Sequence, residues 1–281
     1  MTVFARSEDL AGRGPEGAPS DHEGPMVDIH GVDVTFETKA RTVHALSGID
    51  LTIEPGEFLS IAGPSGCGKS TLLRVIAGLT GVSAGGVALR GSPVRGPRPD
   101  VGFVFQRAAL LDWRNARDNI LFQAEMRGLP KAWARARADE LIEMTGLSGF
   151  EKAMPFELSG GMQQRVSLCR ALLHEPDVLL MDEPFGALDA LTRENMNVEL
   201  RRIWEATGMT VVLVTHSVAE AVYLASRAVV MGPRPGRVIE EFTVDIPGHR
   251  EYEPTLENPE FHRIAGRIRE LLGSTAHSTA D

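Results

Sequence analysis

The sequence predicts an α/β fold in which a mostly parallel sheet carries helices on both faces. Short apolar stretches such as "EFLSIA", "DVLLMD" and "TVVLVT" alternate with helical patterns such as "LLRVIAGL" and "SVAEAVYLAS". This alternation is typical of a parallel sheet, because each parallel strand pair needs a crossover connection that is usually a helix. A glycine-rich loop, "GPSGCGKST", also lies directly between one of these strands and the following helix.

The first segment of the chain differs in composition from the rest. Residues 1–25 are rich in glycine, proline, serine and acidic residues, which predicts a disordered tail. The segment lacks the apolar centre and cleavage site of a secretory signal peptide, and no run reaches the roughly 18 to 20 apolar residues that span a bilayer. Strands are expected from "MVDIHGVDVTFET" onward and through "VHALSGIDLTIEPGEFLSIAG", where Pro55 and Gly56 separate two of them.

The middle of the chain interrupts the alternation of strands and helices. After the strand "DVGFVFQ", a mainly helical stretch runs from Asn115 to about Gly146, and "MQQRVSLCRALLHEP" adds another helix. These patterns predict a helical subdomain over about residues 107–173.

The last third of the chain returns to strands. "RAVVMGPRPGRVIEEFTVDI" predicts a strand hairpin, and a helix is expected from Pro259 to Leu272. We therefore expect one main domain over residues 26–250, followed over 251–281 by a C-terminal helix and a disordered end.

Charge and cysteine content restrict the possible partners and setting. The chain has 29 basic and 38 acidic residues and a formal net charge of −9, which argues against a nucleic-acid surface. Cys67 and Cys169 are far apart and show no pairing pattern, so a reduced, cytosolic setting is expected.

The glycine-rich loop matches the pattern G-x-x-x-x-G-K-[ST] that binds nucleotide phosphates. Its glycines let backbone N–H groups face the phosphates without a Cβ clash, and the next helix adds its positive end. We expect Lys69 to reach the β- and γ-phosphates, Ser70 to ligate Mg²⁺ and Thr71 to contact the α-phosphate. The candidate phosphate-binding residues are Gly63, Pro64, Ser65, Gly66, Cys67, Gly68, Lys69, Ser70 and Thr71.

Polar residues at the ends of later strands are candidates for the chemistry. The strand "DVLLM" runs into Asp182, a candidate Mg²⁺ ligand, and Glu183, a candidate base for the water that attacks the γ-phosphate. His216 and Gln106 end their strands in the same manner. The histidine suits either a structural role or a hydrogen bond to phosphate or water. The glutamine suits sensing of Mg²⁺ and water, although its signal alone is weak.

The order of these motifs resembles that of the nucleotide-binding subunits of ATP-binding cassette (ABC) transporters. "LSGGMQQR" supplies the signature of that family, with methionine in place of the commoner glutamine, and "GALD" supplies its D-loop. The resemblance implies the following roles: Phe36 stacks on adenine, Gln106 is the Q-loop residue, Ser159, Gly160 and Gly161 form the signature, Asp182 holds Mg²⁺, Glu183 is the base, Asp189 is the D-loop acid and His216 is the switch histidine.

The resemblance also implies a fold, cofactors and partners. The fold is a P-loop NTPase domain of the ABC type, with a mostly parallel sheet, an antiparallel β subdomain and a helical subdomain. The cofactors are ATP and Mg²⁺, and two copies of the chain close head to tail around two ATP molecules. The other implied partners are transmembrane permease subunits and, indirectly, a solute-binding protein, with no nucleic acid. The implied location is peripheral, on the cytoplasmic face of the membrane.

The branch of the family is indicated by the segment after Gln106. "RAALLDWRNARDNI" and "VVMGPRPGRVIEE" resemble importers of nitrate, sulfonates and taurine, although Asp112 stands where proline is common. Importers of thiamine-precursor pyrimidines or riboflavin remain open, as does a soluble ABC ATPase without a transport role. The resemblance places the permease contact at residues 107–119, where the alternative is a surface loop with a packed Trp113.

Overall fold

The structure is a computed structural model, and it describes residues 24–37, 41–186, 188–246 and 250–277. The tail predicted to be disordered lies almost entirely outside these ranges, as do the last four residues. The predicted domain bounds of 26–250 and 251–281 stay predictions.

The elements follow one another in the predicted α/β order. The strands are β1 (Val27–Glu37), β2 (Thr42–Ile53), β3 (Phe58–Ala62), β4 (Ala84–Leu89), β5 (Ser92–Pro93), β6 (Val101–Val104), β7 (Val178–Asp182), β8 (Thr210–Thr215), β9 (Arg227–Met231) and β10 (Val238–Thr243). The helices are α1 (Lys69–Ile76), α2 (Ala116–Arg127), α3 (Lys131–Met144), α4 (Gly160–Leu172), α5 (Ala190–Thr207), α6 (Val218–Leu224), α7 (Tyr252–Glu257) and α8 (Pro259–His277).

The larger sheet has the strand order β10-β9-β3-β8-β7-β6. Its neighbouring strands are parallel except for the β9–β10 pair, which is the predicted hairpin. Strands β3, β7 and β8 are buried along their whole length, which explains their continuous apolar sequences. Because these strands are parallel, their carboxyl ends meet at one edge of the sheet, and the residues that follow them share that edge.

A smaller antiparallel sheet has the order β2-β1-β4-β5. The sequence pattern indicated β1 and β2 but missed β4 and β5. Strand β4 reads "AGGVAL", and glycines in a strand give little pattern to recognise. Its second residue, Gly85, has a φ of 75°, and a Cβ there would lie 2.2 Å from the carbonyl oxygen of Gly31. Close backbone approach therefore requires glycine at this position.

Helices α2, α3 and α4 pack together in the region predicted to be a helical subdomain. They bury a shared apolar face that includes Ile120, Ala138, Leu141 and Leu168. Helix α4 also packs against β6 of the larger sheet, so this region is joined to the strand that precedes Gln106. The bounds of about 107–173 stay a prediction.

The C-terminal helices pack against α6. Helix α8 begins at Pro259 as predicted but continues to His277, and the shorter α7 was not predicted. Phe261, Ile264 and Ile268 are buried in the same core as the helical region and the larger sheet. No helix of the described residues is long and apolar enough to cross a membrane.

A buried arginine joins these helices to the sheet. The guanidinium of Arg250 donates hydrogen bonds to the carbonyl oxygens of Tyr223 (3.0 Å), Ala225 (2.7 Å) and Val244 (2.8 Å). Its own carbonyl oxygen accepts a 3.0 Å bond from the Tyr223 hydroxyl. Burial lowers the pKa of Arg250 to about 10, and the hydrogen bonds offset part of that cost.

We expect Arg250→Leu to lower the free energy of unfolding by about 2–4 kcal/mol, because several buried carbonyl groups lose their donor. Urea denaturation measures the change. Arg263→Leu is the matched control, since Arg263 is an exposed arginine of α8 that pairs with Glu260, and it should change stability by less than about 0.5 kcal/mol. Equal effects of the two variants would show that the buried hydrogen bonds do not stabilise the C-terminal region.

Candidate functional site

The glycine-rich loop joins the buried strand β3 to helix α1. Gly66 and Gly68 have φ values of 75° and 112°, which residues with a Cβ rarely adopt. A Cβ on Gly68 would lie 2.7 Å from the carbonyl oxygen of Ala45, and one on Gly63 would lie 2.9 Å from that of Met231. The loop therefore needs glycine for its conformation and for its close contact with neighbouring backbone.

Lys69 is the first residue of α1 and folds back over the loop. Its Nζ donates hydrogen bonds to the carbonyl oxygens of Gly63 (2.8 Å) and Pro64 (3.0 Å). The side chain is buried, and no salt bridge among the described residues includes it. A buried ammonium group held by neutral carbonyls, at the positive end of a helix, favours an anionic ligand.

Ser70 and Asp182 bring the loop and the end of β7 together. The Ser70 Oγ donates a 2.7 Å hydrogen bond to Asp182 Oδ1. Burial raises the pKa of the Asp182 carboxyl, and the bond from Ser70 opposes that shift. A hydroxyl and a carboxylate are hard oxygen donors of the kind that Mg²⁺ prefers. The described residues contain no group of three or more side chains that could hold a metal by themselves, so a bound Mg²⁺ would also need ligands from substrate and water.

Glu183, Gln106 and His216 meet beside that pair. Gln106 Nε2 donates a 3.1 Å hydrogen bond to Glu183 Oε2, and His216 Nδ1 lies 3.5 Å from the same oxygen. The backbone N–H of Glu183 donates to the carbonyl oxygen of Val214 in β8 (2.9 Å). Glu183 has a φ of 46°, a conformation that costs about 1–3 kcal/mol in residues other than glycine. Gln106 and His216, which the sequence placed at strand ends, therefore both contact Glu183.

An open cavity of about 240 Å³ extends over the loop. Its lining includes Phe36 at the end of β1 and Glu183, together with residues that the sequence predicted for phosphate and Mg²⁺: Ser65, Gly66, Gly68, Lys69, Ser70 and Thr71. Gly63, Pro64 and Cys67 belong to the same loop but do not line the cavity. Cys67 is buried, and burial raises the pKa of its thiol.

The sequence did not indicate Arg234, Val43 or Ala45, which also line the cavity. Arg234 comes from the β9–β10 connection, and its guanidinium donates hydrogen bonds to the carbonyl oxygen of Gly66 from Nε (3.1 Å) and Nη2 (2.9 Å). Because 168 residues separate Arg234 from Gly66, sequence spacing gives no signal for their contact.

The segment "LSGGM" lies elsewhere, at the start of α4. Ser159 caps the helix, with its Oγ accepting a 3.3 Å hydrogen bond from the backbone N–H of Met162. A Cβ on Gly160 would meet nothing within 4 Å, whereas one on Gly161 would lie 2.8 Å from Thr192 Cγ2. Ser159, Gly160 and Gly161 do not line the cavity of their own chain.

Met162 has a packing role that the sequence left unexplained. Its side chain is half-buried against the large apolar core. The structure thus accounts for an apolar residue at this position by contact within the same chain.

Asp189 caps helix α5 rather than lining the cavity. Its Oδ1 accepts a 3.0 Å hydrogen bond from the backbone N–H of Thr192, and this bond lowers the pKa of Asp189. Thr192 also contacts the position of Gly161. The starts of α5 and α4 are therefore neighbours.

Comparison with known proteins places this arrangement in a family. A family model described as ABC transporter matches residues 46–186. The taurine import ATP-binding protein TauB of Roseobacter denitrificans is 44% identical over 237 residues, which cover 83% of this chain and 88% of that protein. The aliphatic sulfonates import ATP-binding protein SsuB of Bacillus licheniformis is 48% identical over 230 residues, covering 82% and 88%.

Solved structures agree with this placement. One is the ATP-binding cassette MJ0796, in a dimeric post-hydrolysis state bound to ADP and Pi. It is 33% identical, with a TM-score of 0.70, and the match covers 80% of this chain and all of the MJ0796 chain. The cbiO1 protein of Clostridium perfringens, part of the ABC transporter complex cbiONQ, is 25% identical, with a TM-score of 0.71, and covers 92% of this chain. The predicted α/β fold, with its mostly parallel sheet, antiparallel sheet and helical region, is confirmed. The chain belongs to the ABC transporter family, as an ATP-binding subunit with ATPase activity.

Proposed function

We propose that this chain powers an ABC importer for a taurine-like sulfonate or a related small anion, with Glu183 as the catalytic base. The contact of Glu183 with Gln106 and His216, beside the Ser70–Asp182 pair, carries the catalytic part of the proposal. The named relatives import taurine and aliphatic sulfonates, which supports the solute class. Nitrate belongs to the proposed class of small anions. Thiamine-precursor pyrimidines and riboflavin are the alternative solutes, because the solute contacts other subunits.

The geometry suits hydrolysis of the γ-phosphate. Phe36 lines the cavity beside the loop, in a position to stack on adenine, while Lys69 and the loop N–H groups hold the phosphates. Glu183 takes a proton from the attacking water, whose oxygen forms the new bond to phosphorus as the bond to ADP breaks. Gln106 and His216 hold Glu183 and the water in line. Mg²⁺, held by Ser70 and Asp182, would neutralise charge on the phosphate oxygens.

The segment Ser159–Gly161 supports a site shared between two chains. It presents a capped helix start with open space at Gly160, which favours an anion, yet it does not line its own chain's cavity. In the proposed homodimer its ligand is the γ-phosphate held by the partner copy, with Asp189 close to the same contact. The dimeric state of MJ0796 supports this arrangement.

An exposed aromatic surface supports docking to a permease. Trp113 is 75% exposed and Phe156 is 79% exposed. The backbone bond from Ala116 N to Ala153 O (2.9 Å) joins the two segments that carry them. Exposed aromatic side chains of this size are typical of protein interfaces.

Side-chain hydrogen bonds hold the loop that carries Trp113. The buried side chain of Asn119 accepts a bond from Leu111 N (2.7 Å) and donates to Arg114 O (2.9 Å). Arg170 of α4 donates to Ala108 O (2.8 Å) and Ala109 O (2.9 Å). A loop ordered before binding loses less conformational entropy on docking. We infer that a short permease helix docks here, at the cytoplasmic face of the membrane, and that the solute-binding protein contacts only the permease.

We expect Glu183→Gln to lower ATP turnover by roughly 10²–10⁴-fold, because the amide cannot accept the proton. ATP binding should persist, and a dimer should accumulate with ATP in size-exclusion chromatography. Glu140→Gln, at an exposed glutamate of α3, is the control and should leave turnover unchanged. Normal turnover in Glu183→Gln would remove this residue as the base.

We expect two inactive variants, Ser159→Ala and Lys69→Ala, to regain activity when they are mixed. Each mixed dimer has one intact site, formed by Lys69 of one copy and Ser159 of the other. In a random equal mixture about one quarter of the sites are intact. Steady-state phosphate release measures the recovery, and each variant alone is the control. A mixture no more active than its components would contradict a shared site.

We expect Trp113→Ala to weaken co-purification with the permease, since loss of a central aromatic side chain often costs about 2 kcal/mol or more of binding free energy. Turnover by the isolated subunit should not change, because Trp113 lies away from the cavity. Met126→Ala, at a methionine of α2 that is also exposed, is the matched control. Co-purification with ribosomes or nucleic acid instead would favour an ABC ATPase without a transport role.

A further inference from the structure

The β9–β10 connection is fixed between the antiparallel sheet and the phosphate loop. The backbone N–H of Gly236 donates to Ala45 O (2.9 Å), and that of Ser47 donates to Gly236 O (3.0 Å). A Cβ on Gly236 would lie 2.1 Å from the carbonyl oxygen of Cys67, so the connection packs directly on the loop. These contacts determine where the side chain of Arg234 enters the cavity.

Arg234 adds a second positive charge to the cavity, besides that of Lys69. Both side chains line the cavity, and both donate to carbonyl oxygens of the same loop. No salt bridge between described residues involves Arg234, so its charge lies against a neutral carbonyl. The guanidinium is a planar, delocalised cation.

The hydrogen bonds leave part of the guanidinium available. Nε and Nη2 of Arg234 donate to Gly66 O, and Nη1 makes no hydrogen bond with the described residues. An arginine carries five N–H donors in a planar fork that matches phosphate oxygens. Two cations in one open cavity repel each other, and a polyanion between them relieves that repulsion.

We propose that Arg234 is a nucleotide-binding residue whose guanidinium contacts the phosphate chain of the nucleotide. The inference rests on the proposed use of this cavity for ATP. The proposed role adds a cation from the β9–β10 connection to the Lys69 ammonium group of the loop. Gly66 O orients the guanidinium, and the free N–H groups bind phosphate oxygen.

The test compares nucleotide affinity in three variants. Arg234→Gln keeps an N–H donor for Gly66 O but removes the charge, and Arg234→Lys keeps the charge but loses the fork. Arg237→Gln is the matched control, because this neighbouring arginine reaches Ser47 Oγ (3.5 Å) and does not line the cavity. Isothermal titration measures Kd for ATP, ADP and adenosine at low and high salt, and thermal unfolding without nucleotide checks each fold.

Arg234→Gln should weaken ATP and ADP binding about 10-fold, as expected for loss of a charged hydrogen bond, while adenosine binding stays unchanged. The difference from wild type should shrink at high salt. Arg234→Lys should recover part of the affinity, and Arg237→Gln should bind within about twofold of wild type.

If the wild-type chain binds ATP and Lys69→Ala does not, three results would overturn this inference and leave the proposed function intact. One is wild-type affinity in Arg234→Gln, which would leave Arg234 as a clamp on Gly66. Another is an equal loss for adenosine, which would place the contact on the base or ribose. The third is an equal loss in Arg237→Gln, which would indicate a general effect of surface charge. Failure of the wild-type chain to bind ATP would instead overturn the proposed function.

Discussion

The hydrogen bond between Ser70 and Asp182 is the constraint on which the rest of the site depends. It joins the start of α1 to the end of β7, although β8 lies between β3 and β7 in the sheet. The two side chains meet only because buried parallel strands bring their carboxyl ends to one edge. Glu183 and His216 then follow directly after β7 and β8, so their contact is a consequence of the same register.

Helix α4 makes hydrogen bonds both to this edge of the sheet and to the loop before Trp113. Gln164 Nε2 donates a 2.7 Å hydrogen bond to the carbonyl oxygen of Gln106, while the Gln106 side chain donates to Glu183. Gln106 thus contacts both Glu183, the proposed base, and helix α4, which begins at the proposed signature. Arg170 of the same helix holds the loop before Trp113. Helix α4 therefore contacts both the residue that holds Glu183 and the loop of the proposed permease surface, which makes it a candidate element for coupling between them.

Sequence reasoning succeeded where the signal was local. The buried strands β3, β7 and β8 are uninterrupted apolar runs, and the residues after them were assigned to one edge because parallel strands require it. It failed where long-range packing decides the structure. Strand β4 forms because its glycines pass close to β1, and Arg234 reaches Gly66 because the β9–β10 connection packs on β2. Met162 was unexplained by the sequence because its contacts are with the core.

The two candidate anion sites in one chain are explained by their different environments. Lys69 lines the cavity of its own chain, and carbonyl oxygens of its own loop accept its hydrogen bonds. At the start of α4, Thr192 lies close to Gly161, whereas no atom of the chain lies close to Gly160. The helix start is therefore open to a ligand on the Gly160 side. A ligand that contacts both surfaces only when two copies close favours the closed state by the free energy of those added contacts. In the proposed arrangement, loss of the γ-phosphate removes the contact at α4 and leaves the β-phosphate contact at Lys69. In the proposed dimer, hydrolysis therefore reopens the interface before ADP has to leave.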